Sequence, residues 1–249
     1  MHIRVRGFIG CLGVLLVAHV GTASVIVDGQ LDDWGVTPFV DWVPDLSASY
    51  VEENWGDHPG EYGAYPHGGE AYDQEAIYAH VDADILYIAI VTSIPESGNK
   101  YRSHQIMPGD LAIDVGADGA YDYGVVGYGS DKGEVYLGPD WSTPHGFVGF
   151  PSAGPSTLSG GTYLDTIDFV YADAGRLEGG STHTYILEMA LELSLLNQPT
   201  GALSLHHVMT CANDPLDLQI GLQHIPEPAT IGLVLSGAAL VFGARRRYC

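Results

Sequence analysis

Residues 75–92 read EAIYAHVDADILYIAIVT, two apolar β-rich runs joined by Asp82-Ala83-Asp84. The short acidic joint supplies the turn chemistry of a tight β-hairpin, and the flanking runs supply its strands. The second run, residues 85–91, holds no polar residue but Tyr87. A strand of that composition needs cover on both faces, so the pattern predicts a central strand inside a larger sheet.

Other segments extend the same theme. Residues 110–115 predict a strand, residues 122–128 its hairpin partner, and residues 134–137 a short third. Residues 184–193 alternate, with Tyr185, Leu187, Met189, Leu191 and Leu193 on one side and Glu188 and Glu192 on the other. That is the signature of a half-buried strand, although a helix beginning near Glu188 also fits. Residues 203–211 and 217–222 supply the last strands, and residues 24–27 open as one before turning at Asp28-Gly29. Residues 139–163, rich in Gly, Pro, Ser and Thr, predict a long loop. About ten strands, abundant glycine and few helix-period stripes predict an all-β domain over residues 24–225, a two-sheet antiparallel β-sandwich of jelly-roll-like kind. Cys211 is the single cysteine of that body, so no intrachain disulfide staples it.

The two ends carry different information. Arg4 and Arg6 form a positive region, residues 8–20 are apolar, and Gly21-Thr22-Ala23 offers a small-residue cleavage site, so residues 1–23 read as a signal peptide removed by signal peptidase. At the other end residues 229–244 carry no charge, and Arg245, Arg246 and Arg247 follow. A helix of that length extends roughly 24 Å, enough for a marginal transmembrane helix, with the arginines on the cytoplasmic side. Pro226, Glu227 and Pro228 stop any helix from growing outward. Residues 226–249 thereby resemble the PEP-CTERM sorting signal. The resemblance implies recognition by a membrane-embedded exosortase, cleavage near the triplet, and delivery to the surface or extracellular matrix of a Gram-negative bacterium making exopolysaccharide.

Between these signals only Lys100, Arg102, Lys132 and Arg176 stand against 30 acids, a net charge of about −26. Such a surface repels nucleic acid and anionic lipid, and calcium is the expected partial counterweight. Asp114, Asp118 and Asp122, spaced by four around Gly116 and Gly119, are the candidate calcium ligands; the same residues also fit a plain Asp-Gly hairpin turn. Glu70, Asp73 and Glu75 form a second acidic group. Trp42, Trp55 and Trp141, with Tyr62 and Tyr65, lie in Gly- and Pro-rich surroundings among acids, the composition that stacks on and hydrogen-bonds to sugar rings. Aromatics in such loops also serve to pin them to a core. His206 and His207 adjoin, so on a strand they face opposite ways and do not share a zinc ion, while His207, Met209 and Cys211 share one buried face. No Gly-x-Ser-x-Gly elbow and no His-Glu-x-x-His helix is present.

Four stretches carry a further likeness: VDGQLDDWG at 27–35, EAIYAHVDADILYIAIVTS at 75–93, GDLAIDVGADGAYDYGV at 109–125 and LHHVMTCANDPL at 205–216. They resemble bacterial surface proteins whose body is akin to family 9 carbohydrate-binding modules and DOMON-like sandwiches. That resemblance implies sugar held between aromatic rings and structural calcium. The expectation is an exported, non-catalytic, glycan-associated protein of the cell surface or exopolysaccharide matrix. Two alternatives stay open: a glycoside hydrolase or lyase built on a carboxylate pair, and a DOMON-like haem or redox module with Met209 or a histidine on iron.

Overall fold

The computed structural model describes residues 25–38, 40–45, 47–53, 70–142, 154–176, 182–212 and 214–222. The signal peptide, the sorting signal with its apolar span, and Trp55, Tyr62 and Tyr65 lie outside the described residues. Among the described residues no helix is long and apolar enough to cross a membrane. The strands are β1 Ser49–Glu52, β2 Gln74–Asp82, β3 Ile85–Thr92, β4 Asn99–Tyr101, β5 His104–Ile106, β6 Leu111–Val115, β7 Tyr123–Val125, β8 Glu134–Leu137, β9 Trp141–Ser142, β10 Thr157–Leu158, β11 Thr162–Thr166, β12 Asp168–Arg176, β13 His183–Glu192, β14 Gly201–His207 and β15 Leu216–Leu222.

Every pairing between them is antiparallel. One sheet runs β1-β2-β3-β13-β12 and the other β11-β8-β7-β6-β14-β15, with β4-β5 and β9-β10 as separate ribbons. The β2–β3 hairpin turns through Ala83 at φ 52°, and β3 lies between β2 and β13, the central place its apolar composition predicts. Ile77, Ile88, Ile90, Leu187 and Met189 of the first sheet meet Ile113, Val125, Leu203, Leu205 and Leu218 of the second in one core. Burying each such side chain stabilises the sandwich by about 1.5–3 kcal/mol. β15 is the plainest case of sequence writing structure: Leu216, Leu218, Ile220 and Leu222 are buried, and Asp217, Gln219 and Gly221 exposed.

The outer face of the first sheet is also covered. Val25, Leu31, Trp34 and Val36 pack there on Ala76, Tyr78, Tyr87, Ala89, Val91 and Ile186, which explains why β3 carries no polar face. Here the structure departs from the sequence reading twice. Residues 25–27 form no strand. Their segment is held by carboxylates in place of a ladder: Ile26 N–H donates to Asp33 Oδ2 at 2.6 Å, and the N–H groups of Asp28 and Gly29 donate to Glu188 Oε2 at 2.9 and 2.8 Å. Glu188, in turn, is 0 % exposed and does not face solvent; Trp34 Nε1–H donates to its Oε1 at 2.8 Å. β13 is strand throughout and covered on both faces at its middle, because the N-terminal segment lies across it. Gly29 sits at φ +78°, where a Cβ would run into the Cβ of Ala172, so the crossing requires glycine.

Burial raises the Glu188 carboxyl above its usual range, and the indole and two amide donors act against that rise. Replacing it by alanine orphans three N–H donors, each costing about 1–3 kcal/mol. Glu188→Ala is therefore expected to lower the urea unfolding free energy by about 3–5 kcal/mol and to red-shift the fluorescence of Trp34, with Glu188→Gln losing about half as much. Equal urea midpoints for the three proteins would show that this carboxylate does not hold the layer.

Candidate functional site on the outer face of the six-stranded sheet

Strand register places Tyr163, Tyr136, Gly124, Ala112, His206 and Asp217 in one row across all six strands. Residues directly opposite one another share a face, and the alternate positions Val135, Ile113 and Leu205 enter the core, so this row looks outward. The face therefore presents an aromatic end, a small centre and a polar end.

The small centre has a structural purpose. β9 and β10 fold over it, Leu158 opposite Trp141, and a Cβ on Gly124 would lie 2.5 Å from Leu158 Cδ1 and 2.9 Å from the Trp141 ring. Asp110 fastens this flap to the sheet: its Oδ1 accepts Gly127 N–H at 2.9 Å, its Oδ2 accepts Leu158 N–H at 2.7 Å, and its own N–H donates to the Ser156 carbonyl at 2.9 Å. Burial pushes the Asp110 carboxyl up to about 6 against the lowering effect of those two amides. Beside the flap a cleft of about 400 Å³ opens, lined by Asp110, Tyr128, Asp131, Glu134, Tyr136 and Ser159 among others. Tyr136 Oη–H donates to Glu134 Oε2 at 2.6 Å, and the Tyr136 and Tyr163 rings stand nearly perpendicular at 5.9 Å.

The tryptophans do not gather into one sugar site among the described residues. Trp141 is half-buried beside Leu158 on the outer face of the six-stranded sheet. Trp42 packs against the layer that covers the other sheet, where its carbonyl accepts the Tyr78 hydroxyl at 2.8 Å. They occupy opposite outer faces of the sandwich, so these two do not share one site.

The predicted calcium aspartates serve their own turn. Asp114 accepts the N–H groups of Asp118 and Gly119 at 3.2 and 2.7 Å, Asp118 accepts Ala120 N–H at 3.0 Å, and Asp122 accepts Val115 N–H at 2.9 Å. A different set of acids converges: one carboxylate oxygen each from Glu53, Asp73 and Asp214 lies within 4.8 Å of the others. Sequence proximity grouped Asp73 with Glu70, whose side chain lies outside the described residues, and with Glu75; the fold delivers Asp214 from beyond β14. Gln74 anchors that approach, since its amide N–H donates to the Asp214 carbonyl while its Oε1 accepts His207 Nδ1–H. Three carboxylate oxygens at this spacing have the chemistry of a hard-cation site.

The adjacent histidines do face opposite ways. His206 looks outward, its Nδ1 2.7 Å from Asp217 Oδ1, and His207 looks inward to Gln74. Met209 and Cys211 are buried with Ile94 and Ile106 in a small apolar cluster. Burial, with His206 alongside, lowers His207 to about 3, so it is neutral in the folded protein.

Residues 224–247 match the PEP-CTERM protein-sorting motif. The motif implies export, a transient C-terminal membrane anchor and recognition by an exosortase-type processing enzyme. No curated protein and no solved structure matches the chain.

Because His207 has a folded value below its unfolded one, its contribution is complete above about pH 6.5 and is lost as pH falls toward 3. His207→Asn keeps an N–H donor for Gln74 and removes the titration, so its urea midpoint is expected to change less than the wild-type midpoint between pH 7 and 4. Parallel curves would contradict the assignment. For the acidic set, calcium at 100 times its Kd should stabilise by about 2.7 kcal/mol. Asp73→Asn is expected to abolish that gain in melting temperature if Glu53, Asp73 and Asp214 hold the ion, and Asp118→Asn if the turn does; identical melting with calcium and with chelator excludes both.

Proposed function

We propose that this chain is an exported, non-catalytic protein of the cell surface or exopolysaccharide matrix of a Gram-negative bacterium. Its sandwich body associates with glycan. The observation that carries the address is the sorting motif at residues 224–247. Its parts divide the work physically: the prolines end the helix, the apolar run lodges in lipid, and the arginines hold the tail on the cytoplasmic side. The acidic body suits an extracellular setting where divalent cations are abundant, and calcium belongs to this reading as the ion that offsets its self-repulsion.

Support for glycan association comes from the open face of the six-stranded sheet, where tyrosine rings, carboxylates and hydroxyls line one cleft. Sugar rings need that mixture, since their C–H faces stack on aromatics while their hydroxyls hydrogen-bond. Neither a Gly-x-Ser-x-Gly elbow nor a His-Glu-x-x-His helix accompanies it, while the reducing-end measurement below addresses a glycosidase built on a carboxylate pair.

Expression of the full chain in a host with and without an exosortase tests the address. Processing is expected to shorten the chain near Pro226 only when the enzyme is present, and replacement of Arg245, Arg246 and Arg247 by alanine is expected to abolish it. Incubation with matrix polysaccharide tests the activity: retention on the polysaccharide without release of reducing ends supports binding, and a rise in reducing ends would make the protein a glycoside hydrolase.

A further inference from the structure

The cleft beside β8 differs from the places where sequence pointed to sugar. Its volume of about 400 Å³ falls within the roughly 300–1,000 Å³ of small-molecule sites. One wall is the outer face of β8, with Glu134 and Tyr136; another is the segment at residues 157–160; the turn at residues 128–131 closes a third side. The walls are fixed before any ligand arrives. Asp110 ties Leu158 to the sheet, Ser159 N–H donates to the Asp140 carbonyl at 2.9 Å, and the Tyr136 hydroxyl is held by Glu134. Preorganised walls lose little entropy on binding.

The lining also selects a chemical class. Asp110, Asp131 and Glu134 line the cleft, and no lysine or arginine does. Lys132 lies between two of these acids in sequence, yet its ammonium is committed to Glu96, at 2.8 and 3.0 Å from the two carboxylate oxygens. An anionic ligand would meet like charge with no compensating cation. An apolar ligand would strip water from carboxylates and hydroxyls without replacing their hydrogen bonds. A bare cation is poorly served too, because both Asp110 oxygens are spent on amides and Glu134 already accepts the Tyr136 hydroxyl. What remains is a neutral molecule with many hydroxyls and a flat C–H face. The Tyr136 ring inside the cleft, with half-exposed Tyr163 edge-on to it, provides aromatic surface for that face.

We propose that this cleft binds one neutral sugar unit of a polysaccharide, stacked on Tyr136 and hydrogen-bonded by Asp131, Glu134 and Ser159. The inference rests on the glycan-associated reading and adds a location and a ligand class to it. Affinity electrophoresis of the detergent-solubilised full chain in gels containing glucan, mannan or galactan, with alginate and polygalacturonate as uronate controls, tests it. The expected result is retardation by at least one neutral polymer and by neither uronate. Tyr136→Ala is expected to weaken that retardation at least tenfold and Tyr136→Phe, which keeps the ring, less than threefold. Ser159→Trp fills the mouth from an exposed position that bears no core contact, and is expected to abolish binding with an unchanged melting temperature; it keeps the test decisive should Tyr136→Ala fail to fold. Undiminished retardation of Tyr136→Ala and Ser159→Trp would move the site elsewhere and leave glycan association standing. Stronger retardation by uronates would overturn the ligand class, and a wild-type chain retarded by no polymer would overturn the glycan-associated reading together with the site.

Discussion

A single buried carboxylate sets the layering of this protein. Glu188, on the strand between β3 and β12, receives the indole N–H of Trp34 and the amides of Asp28 and Gly29, from a segment about 150 residues earlier in the chain. A carboxyl group at that depth is tolerated because three donors replace the water it has lost. The bond between segment and sheet lets Val25, Leu31, Trp34 and Val36 cover the outer face of the five-stranded sheet. The five-stranded sheet is thereby buried on both faces, one against the core and one beneath this segment.

On the outer face of the six-stranded sheet residue size governs access. Gly124 and Ala112 leave a shallow centre, Trp141 and Leu158 fill it, and Asp110 fastens the flap that carries them. At the end of the row Tyr136 of β8 lines the cleft and Tyr163 of β11 is half-exposed. Trp141 is thereby half-buried against Leu158 and Gly124, with the cleft opening at its side.

The abundance of acid acquires a second meaning in three dimensions. Asp33, Asp110, Asp114, Asp118, Asp122, Asp173 and Glu188 all accept backbone N–H groups. In a β protein with many irregular connections, donors outside the ladders need acceptors, and short carboxylates reach them. Part of the charge that composition assigns to solvent or to cations is thus engaged in holding turns. Asp73 accepts the Gln74 N–H as well, and in its group with Glu53 and Asp214 carboxylate oxygens also approach one another.

The sequence by itself determined what short-range periodicity and local chemistry encode. That covers the β2–β3 hairpin, the doubly covered strand β3, the opposed directions of His206 and His207, and the sorting motif that follows the body. Each follows from residues a few positions apart, whose geometry a strand or a membrane fixes without help. Tertiary structure alone decided the partners of Glu188, the meeting of Asp73 with Asp214, the seat of Trp141 on Gly124 and the fate of residues 25–27. Those outcomes depend on which strands become neighbours and which face a distant segment covers; periodicity says that a face is apolar or polar and carries no record of what will lie against it.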